Sequence, residues 1–90
     1  MSDEELVSLL METGERHHQA YIDGDGADPE WASWYAAYLQ AHVWDRLGRL
    51  LSRSEIAHLL VRGDQEVREG GDPASWATVY ARLLREAASR

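Results

Sequence analysis

Apolar positions along the chain recur at intervals of three and four, the period of a helix with one buried face. Between residues 3 and 22, Leu6, Leu10, Thr13, His17 and Tyr21 fall on one side, with Ser8, Glu12, Glu15, Arg16 and Gln19 opposite. Trp31, Trp34, Tyr35, Tyr38 and His42 share a face over 29–47, Ile56, Leu59, Leu60, Gly63 and Val67 over 53–68, and Trp76, Val79, Tyr80, Leu83 and Ala87 over 73–88. No segment alternates as a strand does. The pattern predicts an all-α fold of four antiparallel helices sharing one core.

Capping chemistry marks where these helices begin. Ser2 with Glu5, and Ser52 with Glu55, have the spacing of a capping box; Met1 with Leu6 and Leu51 with Ile56 sit at the two positions of a hydrophobic staple. Asp28-Pro29 and Asp72-Pro73 read as an N-cap followed by a proline whose missing N–H costs nothing in the first turn. Gly24, Gly26, Gly48, Gly70 and Gly71 supply the stops.

The two halves of the chain also resemble each other. Residues 2–11 (SDEELVSLLM) align with 52–61 (SRSEIAHLLV), Asp28-Pro29 with Asp72-Pro73, and 31–39 (WASWYAAYL) with 76–84 (WATVYARLL). The expected architecture is therefore two pseudo-equivalent helical hairpins, repeat one about 1–47 and repeat two about 51–90, arising by internal duplication within a single domain. Two units are too few for a solenoid, so the hairpins must cover each other. Gly14 and Gly63 fall at nearly matching places, and each costs roughly 1 kcal/mol relative to alanine inside a helix. Both predict the close approach of a bulky ring, with Trp31 and Trp76 as the candidates.

Composition narrows the class further. The chain has 90 residues, a formal charge of −7, no Cys and four Trp. This length rules out two separate cores, and without cysteine there is neither a disulfide framework nor a thiolate metal site. An acidic N-terminus and the absence of any long apolar run predict a cytoplasmic protein with no membrane span. Arginine without lysine, together with abundant Ala and Gly, fits a GC-rich bacterial genome. Charge is uneven: residues 1–45 carry ten Asp and Glu against one Arg, whereas residues 46–90 carry six against eight. A net negative field repels phosphate, so nucleic acid is not an expected partner.

Candidate chemistry is sparse. Glu15 with His18 and Glu55 with His58 have the Glu-x-x-His spacing of a di-iron bundle, but the two pairs fall at non-equivalent places and no inward carboxylates complete them. The loop from Asp23 to Asp28 lacks the ligand positions of a calcium loop. No metal or cofactor is expected, and nothing in the chain resembles a nucleophile setting. His17 and His42 lie on the apolar faces of the first two helices, His17 facing about residues 33–35 and His42 about residues 8–10. They are too far out of step to share a metal. A pocket lined by His17, Tyr21, Trp34, Tyr38 and His42 is the candidate ligand site. Residues 51–60 (LSRSEIAHLL) resemble the first helix of bacterial helix-turn-helix domains, which implies a DNA-binding regulator; the acids at Asp64, Glu66 and Glu69 follow where phosphate contacts would be needed.

A second apolar stripe, Trp44, Leu47 and Leu51, projects away from the aromatic face of the second helix. Covering it predicts a further chain, and the charge asymmetry favours a homodimer with that stripe at its interface. Arg46, Arg49 and Arg53 form a short cationic cluster suited to an anion or to an acidic partner surface. The functional expectation is a small non-catalytic interaction module that self-associates, with a protein as its further candidate partner; the alternative is a ligand-binding or enzymatic helical domain using the His17, Tyr21 and Tyr38 region.

Overall fold

The computed structural model describes residues 2–20, 30–43, 51–70 and 72–89, which form four α-helices and, among the described residues, no strand. They are α1 (Asp3–Ala20), α2 (Trp31–Val43), α3 (Arg53–Gly70) and α4 (Trp76–Ala88). Each helix packs on its two neighbours in the order α1, α2, α3, α4 and back to α1, so the four close into a ring. Asp3 at the start of α1 bonds Arg85 near the end of α4, and Gly14 meets Trp76 at the start of α4. These two helices therefore run in opposite directions. None of the described helices is long and apolar enough to cross a membrane.

Both capping boxes are formed. The Glu5 N–H donates to Ser2 Oγ at 3.1 Å while the Ser2 N–H donates back to Glu5 Oε1 at 3.3 Å. Glu55 and Ser52 repeat the exchange at 3.1 Å each way. Each pair satisfies two donors that a helix start leaves open. The fourth helix begins differently from the sequence expectation. Asp72 accepts from the Ala74 N–H at 3.1 Å, but Pro73–Ser75 form a 3₁₀ turn, and the α-helix starts only at Trp76. Asp72 bonds two residues ahead, which tightens that first turn.

Leu6, Leu10, Leu39, Ile56, Leu60 and Leu84 form the fully buried centre. Register between α1 and α3 is close: Leu6, Leu10 and Thr13 are buried, as are Ile56, Leu60 and Gly63 fifty positions later. Thr13 hides its hydroxyl by donating to the Leu9 carbonyl at 2.7 Å. Gly63 is thus matched by Thr13 rather than by Gly14.

The ring against Gly14 is Trp76, as expected, joined by the Tyr35 hydroxyl; a Cβ there would lie 3.2 and 3.1 Å from them. Trp31 is not the ring at Gly63. Tyr80 occupies that place, so close that a Cβ would lie 2.6 Å from its Cδ1, while Trp31 stacks on the Tyr80 ring at 6.3 Å. Tyrosine wins the position because it lies one turn further into its helix, opposite the middle of α3. Gly63→Ala should therefore destabilise the chain despite the better helix propensity of alanine. Overpacking costs ~1–3 kcal/mol against a propensity gain of ~1 kcal/mol. Gly70→Ala meets nothing within 4 Å and should be neutral or slightly stabilising. Urea melts of the two variants against wild type check the contrast.

Burial holds the tyrosines protonated. It raises Tyr35 and, more strongly, Tyr80 above the ordinary value of 10.0, and Asp64 adds to the effect on Tyr80. The folded state thus keeps protons that the unfolded state gives up above pH ~10, so this stability is complete below that pH and lost as pH rises. The urea midpoint should fall as pH rises above ~10, and less steeply in Tyr80→Phe. Equal slopes in the two proteins would contradict it.

Candidate functional site

None of the aromatic residues of α2 is fully buried, which corrects the expectation that Trp31, Trp34, Tyr35, Tyr38 and His42 are buried together; Trp31 and Tyr35 pack against the edge of the core. Ala36 and Leu39 are the fully buried side chains of this helix, about a quarter-turn away from the aromatic stripe. Trp31, Trp34, Tyr35 and Tyr38 are half-buried and His42 is exposed. Large aromatic rings dominate any hydrophobic pattern, yet they tolerate partial exposure better than aliphatic chains do.

The stripe forms a continuous row of rings. His17, buried on α1, sits edge-on to Trp34 at 5.2 Å and tilted to Tyr35 at 5.2 Å. Trp34 stacks on Tyr38 at 5.6 Å, and Tyr38 stacks on His42 at 4.2 Å. His42 Nδ1 lies 2.8 Å from the Tyr38 carbonyl oxygen. A carbonyl can only accept, so Nδ1 carries the proton and Nε2 is left to the solvent side. Four of the five residues of the sequence-derived pocket are therefore joined; Tyr21 lies outside the described residues. His17 faces residues 34 and 35 as its spacing predicts, and it does not meet His42.

His42 closes one side of an open groove of about 850 Å³ whose other wall is α1: Ser2, Glu4, Glu5, Ser8, Leu9 and Glu12. The acids and serines of this wall were missed as a site in the sequence, where they read only as the polar side of α1. The signal was available in the expectation that His42 faces residues 8–10. Glu5 is engaged in the capping box, whereas Glu4 and Glu12 make no ion pair among the described residues. A second hollow, of about 320 Å³ between α1 and α4, differs because its charges are already matched: Asp3 with Arg85, and Arg82 with Glu86 and Glu66. Negative potential is thus concentrated along the α1 side of the groove.

The remaining candidates separate. Leu51 is only 5% exposed and belongs to the core of its own chain, its carbonyl accepting from Gln40. It therefore does not project outward as the expected stripe requires; Trp44 and Leu47, like Arg46 and Arg49, lie outside the described residues. Arg53 is exposed at the start of α3. Glu55 is committed to its capping box, and no group of three His, Asp or Glu side chains is placed to hold a metal among the described residues. Helix α3 runs unbroken from Arg53 to Gly70, leaving no turn after Leu60 of the kind the helix-turn-helix resemblance implies. Comparison with protein-family models, curated proteins and solved structures returns no match for the chain.

Proposed function

We propose that the chain is a small non-catalytic helical interaction module that self-associates, built as two duplicated antiparallel hairpins, with the acidic first half of one copy meeting the basic second half of another. One observation carries this reading. In α4, Leu83 and Ala87 are 4% and 3% exposed, while Tyr38 and His42, forty-five positions earlier in α2, are half-buried and exposed. Equivalent positions are covered in one half and less covered in the other, and the less covered ones are aromatic. A half-buried tyrosine ring and an exposed imidazole beside unmatched charge fit the composition of a contact surface.

An open groove suits a macromolecular surface better than a small molecule, which binds where most of its own surface is enclosed. His17 is too well buried to be reached by a ligand in that groove. A homodimer is the smallest assembly of this kind. Tyr38→Ser removes the central ring of the less covered row while leaving Ala36 and Leu39 in place. It should weaken self-association ~10- to 30-fold, the size expected for an aromatic anchor. Light scattering across a dilution series measures this, and unchanged association would remove the aromatic row from the interface.

A further inference from the structure

The only large apolar side chains well exposed among the described residues are Met11, at 59%, and Val61, at 52%. They stand fifty positions apart, at the same place on α1 and α3. A single exposed apolar residue is ordinary. Two at one register position are less so, and the residue that follows each is opposite in charge.

Around Met11 lie Glu4, Glu12 and Glu15; the positions that correspond around Val61 are Ser54, Arg62 and Gln65. Glu12 in α1 is thus replaced by Arg62 in α3, and Asp3 by Arg53. The acids nearby on α3 include Asp64, matched by Arg68 at 2.9 Å, and Glu66, matched by Arg82. Neither Glu12 nor Arg62 forms an ion pair among the described residues, and both are exposed. One face is an apolar point in an acidic field, the other an apolar point with a guanidinium beside it. At these positions each face opposes the other in sign, so that Glu12 would attract Arg62 of another copy while like faces set like charges together.

We infer that the outer face of α1 in one copy docks on the outer face of α3 in the next, with Met11 against Val61 and Glu12 paired with Arg62 of that next copy. This rests on the self-association proposed above and specifies its geometry. The two helices do not adjoin in the ring, where α2 and α4 stand between them. Their outer faces therefore point to different sides, and one contact leaves an α1 face open at one end and an α3 face at the other. Such a contact is heterologous, growing head to tail instead of closing as a two-fold dimer. It also lays the neighbouring α3 along the Glu12 wall of the groove that His42 borders.

The test uses charge exchange on the full chain, followed by sedimentation velocity at low ionic strength. Glu12→Arg and Arg62→Glu alone should each weaken association at least tenfold by setting like charges together, and the double exchange should restore it to within about threefold. Met11→Asp and Val61→Asp should each be monomeric alone, because every contact needs both faces. Mixed in equal amounts they should form a 1:1 pair and nothing larger, since one intact face of each remains. All four positions are exposed, and circular dichroism with melting curves verifies folding. Wild type should pass beyond two chains as concentration rises. A wild-type plateau at two chains, or association indifferent to both charge changes, overturns the head-to-tail contact while leaving self-association standing. A wild type that remains monomeric overturns both.

Discussion

Tyr80→Ala is expected to destabilise the chain by ~3–5 kcal/mol, enough to leave little of it folded at physiological temperature. The ring is 5% exposed, lies against Gly63, stacks on Trp31 and meets Trp76 edge-on at 5.5 Å. It is thus held by α2, α3 and its own helix at once. Removing it leaves a cavity that no neighbour can fill, because Gly63 has no side chain and both tryptophans are anchored in other contacts. Tyr80→Phe keeps the ring and should cost much less, which separates packing from the hydroxyl. Equilibrium urea unfolding of the two variants measures both, and near-equal losses would show that the hydroxyl rather than the ring holds the site.

Leu10→Ala and Leu60→Ala form the second large expectation. Both side chains are 0% exposed, and they occupy corresponding positions of α1 and α3. Each truncation should cost ~2–5 kcal/mol through lost transfer energy and residual cavity. If the halves are duplicated hairpins around one shared core, the two losses should agree within about 1 kcal/mol, and both variants should still unfold in a single transition. Unfolding in two steps, with only one half affected by each substitution, would contradict a shared core.

How far the sequence could be read depended on the kind of physical signal. Capping boxes are local: Ser2 with Glu5 and Ser52 with Glu55 need only their spacing, and both are formed. Aliphatic faces were equally legible, because Leu6, Leu10, Ile56 and Leu60 have no favourable alternative to burial. The aromatic stripe of α2 misled for the opposite reason. Trp34 and Tyr38 gain from stacking on each other without leaving the surface, so the core direction is set by the quieter pair Ala36 and Leu39. The small Ala36 leaves room for a neighbouring helix to approach, a feature with almost no weight in a hydrophobic pattern. Gly63 announced a close ring but not whose, since Trp31 and Tyr80 compete for the same region and only the relative placement of the helices decides. The groove wall was hidden because acids on a helix exterior normally mean nothing more than solvation. What distinguishes Glu4 and Glu12 is their position opposite His42, which is a tertiary fact.

We propose that copies of the chain associate through surfaces of opposite charge. The most direct test is sedimentation equilibrium of the wild-type chain from micromolar to high micromolar concentration, at low salt and again at ~0.5 M salt. At the higher salt the screening length falls to roughly 4 Å, well below the reach of a charged surface contact. The expected result is an average mass above that of one chain at low salt, rising with concentration and returning toward one chain when salt is added. A single-chain mass at every concentration and both salts would contradict it.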